Sequence, residues 1–189
     1  MSVRLAGLLR AINVGGRKLA MADLRRVAAQ IGLTDPETLL ASGNVIFGTT
    51  LAASAAGQAL STAIHADLGL RTEVLVRSGL EIAAVVAANP FPEAARAEPA
   101  RLMAMFIDGA VEVPLSTLAS ACRGGERVRA GPGCLYLWFP KGAGASALSN
   151  AVIERRIGVR GTARNWNTVS KIAQRLALSS TTAQSRDCP

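Results

Sequence analysis

The residues best suited to hold a ligand gather in three short stretches. The first is "LLRAINVGGRKLAM", residues 8–21, where an apolar run gives way to Asn13-Val14-Gly15-Gly16 and a helix-forming segment follows. Arg10, Arg17 and Lys18 bracket those glycines. A helix N-terminus offers free amides and about half a positive charge, and glycine lets a ligand approach the backbone. The chemistry expected there is capture of a phosphate or another anion. The spacing matches neither a Walker A loop nor a GxGxxG fingerprint, and a Gly-Gly pair also serves as a plain strand-to-helix turn. The second stretch is Ser42-Gly43-Asn44, whose side chains suit polar contacts in a tight hairpin turn. The third is Asn165-Trp166-Asn167-Thr168 beside Arg164. There Asn167 is expected to cap the last helix, Asn165 to bridge to a neighbouring loop, and Trp166 to pack or to stack on a base. Arg77 completes the candidate set.

Other chemistry finds little support. The single histidine, His65, sits mid-helix in "LSTAIHADLG" and is expected to be structural or on the surface. The three cysteines, Cys122, Cys134 and Cys188, are odd in number and lack a Cys-x-x-Cys spacing, so neither a disulfide framework nor a zinc site is indicated. Asp23, Asp35, Asp67 and Asp108 occur singly rather than as an acid–base pair. No metal and no cofactor are expected.

The charge is uneven. Residues 1–95 hold eight Lys/Arg against seven Asp/Glu, and residues 96–189 hold thirteen against six. The second half is therefore the one that would attract a polyanion. Eighteen of the 21 cations are Arg, which favours bidentate anion contacts. Half of the 189 residues are hydrophobic, enough for a real core, yet no apolar run approaches the roughly 20 residues that span a bilayer. Arg10 interrupts the apolar region that a secretory leader would need. A soluble, cytoplasmic protein without a membrane partner is expected.

These side chains must be positioned by regular elements. "VRLAGLLR" alternates as a strand, and Met21, Leu24, Val27, Ala28 and Ile31 form one helical stripe that Gly32 ends. "TLLASGNVIFGT" reads as two strands about a turn, "AASAAGQALSTAIHADLG" as a helix and "RTEVLVR" as a strand. Ser78-Gly79-Leu80-Glu81 has the capping-box form and opens a helix over 79–88. "ANPFPEAARAEPAR", residues 88–101, reads as a linker because of its three prolines. The order then repeats: "RLMAMFI", a helix in "PLSTLASACRG", a hairpin of "ERVRAG" and "CLYLWFP", a helix in "SALSNAVIERRIG", the strand "GTARNW", and a last helix "TVSKIAQRLAL" before a frayed tail. This pattern predicts an α+β fold of two tandem ferredoxin-like βαββαβ halves, residues 1–90 and 91–189, each followed by an additional helix. One sheet end is expected to gather Asn13–Lys18, Ser42–Asn44 and Arg77-Ser78 in the first half. The matching end of the second is expected to gather Asp108–Pro114, Gly131–Gly133 and Asn165–Thr168. Tyr136 and Trp138 share a face of their strand and are expected to pack between the halves, with base stacking as the alternative.

"LLRAINVGGRKLAMADLR", "ASGNVIF", "VLVRSGLEIAAVVAANPFP" and "ARNWNTVSKIAQ" resemble the bacterial family called domain of unknown function 1697, from about Leu5 to Ala177. The resemblance implies a two-part α+β protein and supplies no activity. The family usually has Gly where this chain has Ala11, and Lys in the segment that here reads Ser146-Ala147-Leu148. A ligand contact made by that Lys would be missing here.

Together these residues predict a non-enzymatic binding protein for an anionic or polar ligand, with nucleic acid as a partner through the basic half. Two other readings stay open: an enzyme on a small phosphorylated substrate and a protein-interaction module.

Overall fold

The computed structural model of the chain describes residues 2–12 and 18–184, the side chains of 179–184 excepted. Asn13, Gly15 and Gly16 lie outside the described residues. The chain has a mixed α+β fold that divides into two compact units, Met1–Ile82 with Lys171–Pro189, and Ala83–Ser170.

In the first unit, β1 (Val3–Leu9), α1 (Met21–Gln30), β2 (Thr34–Leu39), β3 (Asn44–Thr49), α2 (Ala53–Leu68) and β4 (Val74–Ser78) follow in order. They make a four-stranded sheet, order β2-β3-β1-β4, with every neighbouring pair antiparallel. Leu5, Leu9, Val45, Phe47 and Val76 face Leu24, Val27 and Ala28 of α1 and Ala56, Leu60 and Ile64 of α2 in one buried cluster. Burying side chains of this size contributes about 1.5–3 kcal/mol each, which is why the helical stripe tracks the core. Gly57 lets α2 close on β4, because a Cβ there would lie 2.6 Å from the Val74 carbonyl oxygen.

The antiparallel β1–β4 pair corrects one expectation. Leu9 lies opposite Val74 and Leu5 opposite Ser78. The start of β4, not its end, therefore meets the end of β1. Arg77, opposite Ala6, sits toward the other end of the sheet from the Ser42–Asn44 turn.

After β4 comes α3 (Gly79–Ala87). Its capping box forms as its spacing predicts: the Ser78 amide donates to the Glu81 carboxylate at 2.7 Å and the Glu81 amide to Ser78 Oγ at 3.2 Å. The proline-rich segment is not all linker, since α4 (Pro92–Ala97) forms within it. Proline at a first helical turn removes an amide that has no helical partner, and three alanines carry the turn onward.

The second unit builds β5 (Leu102–Ile107), a 3₁₀ helix over Leu115–Ala121, β6 (Arg127–Gly131), β7 (Cys134–Trp138), α5 (Asn150–Ile157) and β8 (Gly161–Asn165). Its sheet order is β6-β7-β5-β8, again antiparallel throughout. Met105, Ile107, Leu135, Leu137 and Phe139 pack on Leu118 and Ala121 of the 3₁₀ helix and on Ile153 and Ile157 of α5. Tyr136, on the other face of β7, is fully buried and donates its hydroxyl to the Val85 carbonyl at 2.7 Å. It offers no face to a base, and Trp138 is only partly exposed.

α6 (Trp166–Gln184) runs on from β8, so the segment expected to fray is helical through Gln184. Its cap is Asn165, not Asn167. Asn165 Oδ1 accepts from the Thr168 amide at 3.0 Å and the Thr168 hydroxyl at 2.9 Å, while Asn167 is exposed. The helix begins at Trp166, two residues before the expected start at Thr168, which moves the capping position back by two. Because β8 is antiparallel to β5, Asn165 lies opposite Met103, at the far end of that sheet from Asp108.

Candidate functional site: a basic cleft where β1 ends and β4 begins

The end of β1 is held from both sides. The Leu9 amide donates to the Gly43 carbonyl at 2.9 Å, and the Arg10 amide to the Glu73 carbonyl at 3.0 Å. The Thr72 hydroxyl donates to the Arg10 carbonyl at 2.8 Å. The chain then leaves the sheet through Ala11 at φ 51, in the left-handed region. Glycine adopts that region without strain and alanine does not.

Above this corner, Ser61, Thr62 and His65 project from the last turns of α2. Ser61 and His65 are four residues apart and so share a helix face. The connector into β4 adds Arg71, Thr72 and Glu73. With Arg10 and Ala11 these residues line a cleft of about 510 Å³. Its charges are not equivalent. Arg10 pairs with the Glu73 carboxylate, but the pair is partly open to solvent and contributes only about 0–1 kcal/mol. The Arg71 and His65 side chains have no ion-pair partner among the described residues. Among the described residues two guanidiniums stand against one carboxylate, so the cleft is positive, and hydroxyls and an imidazole line it together with Arg71. That arrangement can hold an anion.

The predicted site residues divide accordingly. Arg10 lines the cleft. Lys18 is exposed. Ser42 and Asn44 adjoin the end of β1 but do not line the cleft. Asn44 is buried, and its amide braces its own turn with bonds of 2.8 Å to the Leu39 carbonyl and to Ser42 Oγ. Arg77 donates to the Val76 carbonyl at 2.9 Å, away from this corner. Asn165 is spent on its cap, and Trp166 is buried with its ring 6.4 Å from that of Tyr136. Neighbouring Arg164 is buried too, bonds to Thr162 Oγ1 at 2.7 Å, and is pushed down to about 10 by burial. The residues that sequence reasoning missed are Ser61, Thr62, His65, Arg71, Thr72 and Glu73. The Ser61/His65 spacing and the antiparallel direction of β4 are the signals that find them.

Ser146 and Leu148 are engaged within the second unit. Ser146 donates to Glu126, and that bond holds the Glu126 carboxyl below its usual range; Leu148 is buried.

The family model for the protein of unknown function DUF1697 matches residues 2–136. The chain belongs to the DUF1697 family. This DUF1697 chain is also similar in structure to a conserved bacterial protein, SP0830 from Streptococcus pneumoniae, with a TM-score of 0.72 and 24% identity. The likeness covers 93% of this chain and 99% of that one, and it shows the fold alone. No curated protein matches the chain. Among the described residues no cluster of His, Cys, Asp and Glu suits a metal ion, and no helix is long and apolar enough to cross a membrane.

Proposed function

We propose that this DUF1697 protein binds a small anionic ligand in the cleft between β1, α2 and β4. The observation that carries the reading is Arg71: a guanidinium with no ion-pair partner among the described residues, lining a cleft of about 510 Å³ together with His65, Ser61 and Thr62. A volume of roughly 300–1,000 Å³ suits a metabolite-sized molecule, and a guanidinium fork matches a carboxylate or phosphate bidentately. Binding fits the corner more directly than catalysis, because no hydrogen bond joins Ser61 to His65 as a nucleophile–base pair requires. We also read β1 to β4 and β5 to β8 as two ferredoxin-like βαββαβ halves, the first followed by α3 and α4 and the second by α6, which the element order and the two strand orders support.

His65 is the sole histidine, so its imidazole resonances are a clean probe. Titration with inorganic phosphate at fixed ionic strength is expected to shift them saturably. Arg71→Ala is expected to weaken that binding about tenfold while leaving the unfolding midpoint unchanged. A linear, unsaturated response that is identical in the variant would overturn the reading.

A further inference from the structure

A sheet's outer strands carry backbone groups without a partner, and proteins normally blunt them. The four outer strands here differ. β4 and β8 are partly or fully buried and expose none of their residues. β2 is more exposed but carries Pro36, Asp35 at φ 46 and a register shift between Thr34 and Glu37. β6 lacks the proline and the register shift, its pairing with β7 being unbroken over five residues; its guard is charge, with the Arg129 guanidinium donating to the Val128 carbonyl at 2.9 Å. In an antiparallel ladder every second residue turns its N–H and C=O away from its neighbour, so β6 presents such groups outward.

Its side chains say what would fit. Arg127 and Arg129 are exposed and two residues apart, on one face of the strand. Arg127 lies directly opposite Trp138. Both line a cleft of about 390 Å³ whose other walls include Phe91, Pro90 and Pro92. Glu93 and Glu98 also border it, but each is ion-paired, to Arg96 and Arg101 respectively. Among the described residues Arg127 is thus the uncompensated charge at an aromatic, proline-walled hollow that continues the strand's exposed face.

We propose that the second unit binds an acidic, extended peptide segment along the outer edge of β6, displacing the Arg129 side chain from the Val128 carbonyl, with one apolar side chain of that segment seated against Phe91 and Trp138. Main-chain bonds to the edge would supply affinity, and the two arginines with the hollow would select acids at alternate positions and an apolar anchor. This is independent of the anion cleft, which belongs to the other unit.

The test uses the full chain and a fluorescein-labelled Glu-Val-Glu-Phe-Glu-Val peptide, read by anisotropy. Saturable binding is expected, with quenching or shift of the Trp138 emission. An Arg127→Glu/Arg129→Glu double variant should lose about tenfold or more in affinity and gain binding of the Lys-for-Glu peptide. A peptide N-methylated at alternate amides needs no variant and should not bind, because it cannot extend the ladder. Equal binding of the N-methylated peptide overturns the proposal. So does affinity unchanged by charge reversal, or displacement by an oligo-dT strand as effective as the unlabelled peptide, which would mark the patch as a nucleic-acid surface.

Discussion

The two sheets share one strand order, yet they treat the same corner in opposite ways. In the first unit the end of β1 meets the start of β4 through the Arg10 amide and the Glu73 carbonyl. In the second, the end of β5 meets the start of β8 through the Asp108 amide and the Arg160 carbonyl at 2.9 Å. The helix above the first corner is α2, with 16 residues, followed by a connector over 69–73. Above the second it is α5, with eight residues, and the connector shrinks to 158–160. The short version closes the corner: Glu154 of α5 accepts from the Gly161 amide at 2.9 Å, so its carboxylate serves the fold. The long version leaves Ser61, His65 and Arg71 around a cleft. Connector and helix length, more than residue type, separate a site from a brace.

The largest effect should come from breaking the closed corner. A Cβ on Gly161 would lie 2.6 Å from the Phe106 carbonyl oxygen and 2.8 Å from Met105 Cε. The first contact is with backbone, which cannot rotate away. Gly161→Ala is expected to destabilise the protein by about 2–3 kcal/mol in denaturant unfolding. In the first unit the corresponding position, next to Leu9, is Val74, which shows that the open corner has room for a side chain. A G161A midpoint equal to that of the parent would mean the second corner is no tighter than the first.

The comparison also shows what a sequence makes legible. The Leu24, Val27 and Ala28 stripe is readable because burial on one helix face imposes a 3.6-residue period. The Ser78–Glu81 capping box is readable because its four residues make all of its bonds. The direction of β4 against β1 is a pairing between residues almost 70 positions apart, and no local pattern encodes it. That one direction decides whether Arg77 or Thr72-Glu73 joins Arg10, so of the proposed cleft the sequence makes Arg10 legible on its own strand, but not its neighbours. The cap at Asn165 was off by two positions for a simpler reason. Both asparagines are good caps, and only the helix start distinguishes them. The proline-rich segment hides α4 because proline stops a helix in its interior yet is tolerated in its first turn.

A second, smaller effect tests how far the second sheet has internalised its polar groups. Tyr136 is buried, and desolvation raises its hydroxyl well above the ordinary tyrosine range. Removing that hydroxyl leaves the Val85 carbonyl without its partner, so Tyr136→Phe should cost about 1–2 kcal/mol near neutral pH. The sign with pH follows from linkage. The folded-state value is raised, so the bond's contribution is fully present below the unfolded value of about 10 and fades as pH rises beyond it. The unfolded chain releases its phenolic proton there, while the folded chain keeps it. The stability gap between parent and Y136F should therefore narrow above about pH 10 and stay flat below it. A gap constant through pH 11 would show that the hydroxyl is solvated and the second sheet is less closed than its burial indicates.

The smallest effect concerns the open corner itself. Ala11 holds φ 51 where β1 turns out of the sheet, and a non-glycine residue in that region stores about 1–2 kcal/mol. Ala11→Gly removes the strain but gives the unfolded chain more freedom, which offsets about 0.4–1 kcal/mol of the gain. A net stabilisation of at most about 1 kcal/mol is expected in the unfolding midpoint. The turn follows directly on Arg10 and borders the cleft, so strain released here acts on the cleft wall. If the corner is built to hold a ligand, A11G should change phosphate affinity at His65 by more than it changes stability. If the corner only braces the strand, the two changes should be equally small. That ratio separates a strained binding corner from an alanine that the fold merely tolerates.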